Sequence, residues 1–184
     1  MNRTLSLAKT LSPTFYHIQR LRAQNILFEG WHVEDSTSPA RFVSGKGIVA
    51  ASHAFVKLYP TCRAERKHTA GFLTRHLSRE DEAASPLVSV YSKEAAKTEA
   101  LRRVSEGRES VALNQVLITM EDAKEYGGVW FRNVNKWIKE LRMRGAPLPP
   151  NADDEFLFLH FVPMRVLRKR IEVVEGLQSL DLEE

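Results

Sequence analysis

A carboxylate and a set of hydroxyls are the side chains in this sequence best placed for chemistry. Glu155 opens the run EFLFLHFV at 155–162, directly after a polar, proline-closed loop at 147–154. The run is apolar enough to form a strand buried on both faces, so the acid sits where a loop meets a rigid buried element. Working side chains are commonly found in such positions. The second segment is SPLVSVYS at 85–92, a hydroxyl-rich strand that turns into a helix and carries Ser89, Tyr91 and Ser92. Carboxylates can take protons and hydroxyls can orient polar substrates, so these two segments carry most of the functional argument.

Other chemistries find less support. The six histidines, His17, His32, His53, His68, His76 and His160, show no close ligand pairing. Cys62 is the only cysteine, so no metal site and no intrachain disulfide is expected. Phosphate-loop, dinucleotide and nucleophile-elbow patterns are absent, and Gly45-Lys46-Gly47 alone is no phosphate loop. The net charge of +4 is modest, and the tail after Arg170 is purely acidic. Arg63, Arg66, Lys67, Arg75 and Arg79, or Arg132, Lys136, Lys139 and Arg142, could face a nucleic acid. Such faces are more often merely solvated, and a nucleic-acid partner is not expected.

At 184 residues, 43% of them hydrophobic, the chain has material for one well-cored domain. No apolar run approaches the roughly 20 residues of a membrane helix. Residues 1–12 lack a continuous hydrophobic stretch, so no secretory signal is expected, and the expected location is intracellular, cytoplasmic or nuclear. Arg3, Lys9, Arg20 and Arg22 precede the first acid, Glu29. This gives a weak resemblance to an organelle presequence, against which a flexible N-terminus is the preferred reading.

The elements that would position the chemistry follow from pattern. A first strand is expected at 15–18 and a short one at 48–52. Thr61 can cap a helix running to about Leu77, with Phe72, Leu73, His76 and Leu77 on one side. Leu87 to Tyr91 reads as a strand, and Ser92 as the cap of a helix over 93–106 whose buried stripe is Ala96, Ala100, Leu101 and Val104. Residues 111–120 form a strand. Gly127-Gly128 opens a helix over 129–144, with Trp130, Val134, Trp137, Ile138 and Leu141 at helical period and Trp137 as a core anchor. After the strand at 155–162 another is expected at 170–174. Strands and helices mix without regular alternation, so the fold class is α+β. The domain spans 14–175, between a flexible N-terminus at 1–13 and an acidic tail at 176–184.

In order, the chain shows Phe15-Tyr16-His17, then GIVAAS at 47–52, SPLVSVYSKEAA at 85–96 and EFLFLHFVP at 155–163. Over roughly residues 14 to 163 this resembles an uncharacterised domain found widely in filamentous fungi, which in turn resembles the ADP-ribosyltransferase fold. The resemblance implies a pair of small, roughly orthogonal sheets with flanking helices and an NAD cleft between them. It implies cofactor contacts from His17, Ser89, Tyr91 and Ser92, with His17 on the adenosine ribose and Tyr91 stacked on nicotinamide. Asp153 and Glu155 resemble that fold's acidic pair with one spacer. The middle segment departs from the family, being neither a clean Ser-Thr-Ser nor a clean His-Tyr-Glu arrangement.

On this resemblance the protein is expected to bind NAD and to be an ADP-ribosyltransferase or NAD glycohydrolase. Breaking the nicotinamide glycosidic bond builds positive charge on the ribose, which Glu155 would stabilise. Asp153 would orient or deprotonate a protein acceptor. Each residue also has a structural role open to it. His17 reads equally as a hydrogen-bonded core histidine, Ser92 as a helix cap, Tyr91 as core and Glu155 as a loop acid. The alternative of another class is a catalytically inactive interaction module on the same fold. It would turn its Trp-bearing and basic helices toward a protein partner, and Phe28 or Trp31 would fill the cleft.

Overall fold

Apolar residues alternate along Trp31, Val33, Leu113, Tyr91 and Leu157, and this shared face of extended chain is what the helices cover. The computed structural model describes residues 25–78, 85–125, 131–143 and 151–173. The strands are β1 (Ile26–Glu34), β2 (Arg41–Val43), β3 (Gly47–Val49), β4 (Leu87–Tyr91), β5 (Ala112–Thr119), β6 (Phe131–Asn133), β7 (Glu155–Leu159), β8 (Phe161–Pro163) and β9 (Leu167–Glu172). The helices are α1 (Arg63–Ser78), α2 (Lys93–Ser105), α3 (Met120–Glu125) and α4 (Val134–Leu141). The fold is α+β. A six-stranded sheet runs in the order β6-β7-β4-β1-β5-β9, and a three-stranded sheet in the order β2-β3-β8. Every pairing is antiparallel.

The large sheet is sandwiched. On one face α2 packs Ala96 and Ala100 against Trp31, Val33, Tyr91 and Leu113. Beside it α1 and α4 set Leu73, Val134, Trp137 and Ile138 against Leu87 and Leu157. On the other face Phe28, Val88, Val90, Val116 and Phe158 meet Ile48 and Val162 of the small sheet. Phe28 lies 4.5–5.6 Å by ring centroid from Phe131, Phe156 and Phe158. That cluster explains Gly30: a Cβ there would come within 2.7 Å of Val90 and 2.8 Å of the Phe28 ring.

Sequence and structure part at several elements. β1 was not anticipated, because Glu29, Gly30 and His32 interrupt its apolar pattern; burial by both neighbouring strands overrides weak local propensity. The strand expected at 15–18, Trp130 and Gly127-Gly128 lie outside the described residues. The helix expected over 129–144 is α4, which begins only at Val134, capped by Asn133, whose side chain accepts from the Lys136 N–H. Residues 131–133 pair with β7 instead. At α1, Thr61 is not the acceptor. The Glu65 carboxylate reaches back to the Thr61 and Cys62 N–H groups. The run at 155–162 is not one strand. His160 takes a left-handed φ of 65°, and the chain leaves the large sheet there to enter the small one as β8. Its backbone is held on both sides, N–H to Pro86 and C=O from Ala50. The last strand starts at Leu167, earlier than its apolar residues suggested. Among the described residues no helix is long and apolar enough to cross a membrane.

Trp137 is fully buried at the centre of the α1–α4 cluster. Trp137→Ala is expected to cost about 3–5 kcal/mol in chemical denaturation, the range for truncating a buried large aromatic. A loss below about 1 kcal/mol would show that the α4 stripe is not the anchor of this layer.

Candidate functional site

Between the two apolar clusters of the helix-covered face runs a polar seam. β4 and β7 pair in register, with Tyr91 opposite Glu155 and Ser89 opposite Leu157. With period-two alternation, Leu87, Ser89 and Tyr91 of β4 and Glu155 and Leu157 of β7 share the face that α1 and α2 cover. Glu155 is only 5% exposed. A carboxylate that deep must be solvated by the protein, and the Ser89 hydroxyl donates to its Oε1 at 2.6 Å.

The hydrogen bonds continue into α1. His76 Nε2 is 2.9 Å from Ser89 Oγ, and its Nδ1 is 2.8 Å from Ser85 Oγ. Ser85 Oγ in turn accepts the Leu87 N–H at 3.2 Å. From the other side comes β1. It meets β4 in register at Trp31 and Tyr91, and beyond that pair the two strands part. There the His32 side chain takes over from the backbone ladder, with Nδ1 2.8 Å from the Ser89 carbonyl oxygen. A carbonyl only accepts, so Nδ1 carries the proton. The opposite nitrogen, Nε2, is buried and has no hydrogen-bond partner among the described residues.

These groups enclose a cavity of about 70 Å³, lined by His32, Ser38, His76, Ser89, Tyr91, Arg103 and Glu155 among others. Its roof is the segment at 38–40 that follows β1. Arg103 of α2 holds it down, donating to Asp35 at 3.0 Å and to Ser38 Oγ at 2.9 Å. Glu99, itself buried, accepts from Arg103 Nε at 2.8 Å and anchors the guanidinium. Burial pushes the Tyr91 hydroxyl well above its ordinary range, and the Glu155 and Glu99 charges add to this, so the phenol stays neutral.

Of the residues singled out by sequence, Ser89, Tyr91 and Glu155 come together in this cavity. Asp153 does not line it. It sits exposed on the turn before β7, its carboxylate held by the Asn135 side chain. Ser92 also stays out of the lining. Its Oγ caps α2 through the Ala95 N–H, and its own N–H donates to the Asp154 carbonyl. His17 lies outside the described residues. The cavity opens on the helix side where β1 leaves β4, and no residue of the three-stranded sheet lines it, so it is not a cleft between sheets. Neither Phe28 nor Trp31 lines it: Phe28 faces the small sheet and Trp31 packs under α2.

The chain matches no protein-family model and no curated protein. The site therefore rests on its own geometry. Sequence reasoning missed His32, His76, Ser85 and Arg103. For His76 a signal existed, a histidine on the apolar side of a helix. For His32 the signal was hidden with β1 itself.

Burial lowers the His32 pKa, against the Ser89 and Ala40 backbone groups and Glu34, which favour the charged ring; Arg103 adds to the fall. The unfolded ring takes its proton first as pH drops below about 6.5, so stability is lost from there down toward the lower folded value. His32→Asn keeps a donor for the Ser89 carbonyl but does not titrate. Urea denaturation at pH 7 and pH 5 should show wild type losing more stability than His32→Asn. Equal losses would mean that His32 is not held neutral in the fold.

Proposed function

We propose that this protein binds NAD at the Glu155 cavity and cleaves it between nicotinamide and ribose, passing ADP-ribose to an acceptor. The observation that carries the reading is the buried Ser89–Glu155 hydrogen bond, 2.6 Å long, on paired strands beside Tyr91 and His32. In the step, the bond from the ribose C1′ to the nicotinamide nitrogen breaks and its electron pair leaves with neutral nicotinamide. Positive charge grows on the ribose, and the Glu155 carboxylate, fixed in place by Ser89, stabilises it while accepting a hydrogen bond from a ribose hydroxyl. A nucleophilic oxygen or nitrogen of the acceptor then bonds to C1′ and passes its proton to Asp153 or to water.

The other residues take roles that suit their positions. His32 Nε2 is a buried acceptor without a partner among the described residues, and a ribose hydroxyl would supply the missing donor. In this scheme His32, on β1, takes the ribose role that the resemblance implied for His17. Tyr91, neutral and on the cavity wall, offers a ring for nicotinamide to stack on. Asp153, exposed on the turn before β7, would meet the acceptor in this scheme. Ser92 remains a helix cap in this scheme.

One observation favours a second reading. The cavity of about 70 Å³ is much smaller than a dinucleotide, and Arg103 holds the 38–40 roof in place. NAD binding requires that roof to lift. A protein whose roof stays shut would be a catalytically inactive interaction module on the same fold, using its exposed helix faces.

Nicotinamide release by purified protein separates the two. Glu155→Gln should lower turnover at least about a hundredfold, the scale for removing a group that stabilises transition-state charge. NAD binding should fall far less, because that charge matters most in the transition state. Asp153→Asn should impair transfer to an acceptor more than hydrolysis. Undiminished turnover in Glu155→Gln would place the chemistry elsewhere. A folded wild type that neither releases nicotinamide nor gains thermal stability with NAD would leave the interaction module.

A further inference from the structure

The hydrogen bonds around His76 have a direction, and it is set from outside the ring. The proposed function requires Glu155 to be ionised, and an ionised carboxylate can only accept, so the Ser89 hydroxyl proton is committed to it. Ser89 Oγ then presents a lone pair to His76 Nε2, 2.9 Å away, and Nε2 must carry the proton. On the far side Ser85 Oγ already accepts from the Leu87 N–H, which leaves its own proton for Nδ1 at 2.8 Å. The neutral ring thus completes one relay. Ser85 donates to His76, His76 to Ser89, and Ser89 to Glu155.

We propose that His76 is the positioning residue of the Glu155 site, working as the neutral Nε2–H tautomer and switching the site down when its ring takes a second proton. This rests on the reading that Glu155 meets a developing positive charge. Protonation would reverse the Ser85 end, with Nδ1–H donating to the remaining lone pair of Ser85 Oγ, and would leave the Nε2–H to Ser89 link in place. It would also place a cation two hydrogen bonds from Glu155, where it opposes the charge forming on the substrate. Among the described residues, four ionisable groups on neighbouring elements face the same cavity: Glu155 on β7, Tyr91 on β4, His32 on β1 and Arg103 on α2. Burial keeps Tyr91 and His32 neutral. Glu155 favours the charged His76 ring and Arg103 disfavours it.

Two substitutions separate the hydrogen bonds from the titration. His76→Gln carries an amide N–H for Ser89 and a carbonyl oxygen for Ser85, and it holds no charge at any pH. His76→Phe fills the space with no polar atom. Nitrogen-15 NMR of the imidazole in the intact protein reads the tautomer and its titration directly, without any turnover. The expected spectrum at neutral pH has a protonated Nε2 and a bare Nδ1. In nicotinamide release, wild-type kcat should fall on the acid side at the pH where NMR sees His76 charge. His76→Gln should keep the alkaline kcat and lose that acid limb. His76→Phe should lose about tenfold in kcat at all pH, the rate equivalent of one buried hydrogen bond, with KM little changed. A proton on Nδ1, a ring charged throughout the pH range of folding, or an acid limb retained in His76→Gln would overturn the proposal. Absence of nicotinamide release from folded wild type ends the NAD reading instead, and the tautomer measurement then decides the relay alone.

Discussion

A carboxylate buried in a sheet has to be solvated by the protein around it, and Glu155 sets that requirement here. The cost of an unpaired buried charge is several kcal/mol, so every neighbour of Glu155 is constrained. Ser89 must sit beside it on β4 with its proton turned toward the carboxylate. His76 must reach down from α1 to supply Ser89 with a donor, and Ser85 must back His76. Apolar clusters lie on either side of this polar seam. Leu73, Trp137 and Leu157 lie on one flank, and Trp31, Ala96 and Ala100 on the other.

A second set of charges holds the roof. Residues 35–40 leave β1 just where it parts from β4, and Arg103 pins them across the seam through Asp35 and Ser38. Burial alone would raise the Asp35 pKa, but the Thr37 hydroxyl and N–H and the Arg103 charge bring it below the usual value. That clamp keeps its carboxylate ionised and weakens only as pH falls through the lowered value. The roof is therefore tied to α2 by charge. A ligand that lifts it would have to compete with Arg103, which itself lines the cavity and could turn to an incoming anion.

Much of this was legible in the sequence, for local reasons. Leu87–Tyr91, α2 with its Ser92 cap, and the Trp137 stripe follow from alternation, capping and helical period, which are properties of short windows. Glu155, Ser89 and Tyr91 stood out because a carboxylate and hydroxyls interrupt otherwise apolar strands. The parts that were not legible are set at long range. β1 reads poorly by itself, since His32 and Gly30 make sense only against Ser89 and Val90 from β4. The break at His160 depends on Pro86 and Ala50, far away in the chain. Residues 131–133 become strand because β7 offers them an edge, which no helical periodicity can reveal. His76 showed its place on the covered side of α1, but its two serine partners appear only after the strands are laid beside it.

The proposed chemistry depends on NAD binding at the seam around Glu155. Amide NMR of the intact protein with NAD added in steps tests it most directly. Saturable shifts should gather at Ser89, Tyr91 and Glu155, at His32 on β1 and at the 38–40 roof, leaving the α4 surface unmoved. Saturable shifts confined to other surfaces, or none as NAD rises to millimolar levels, would contradict it.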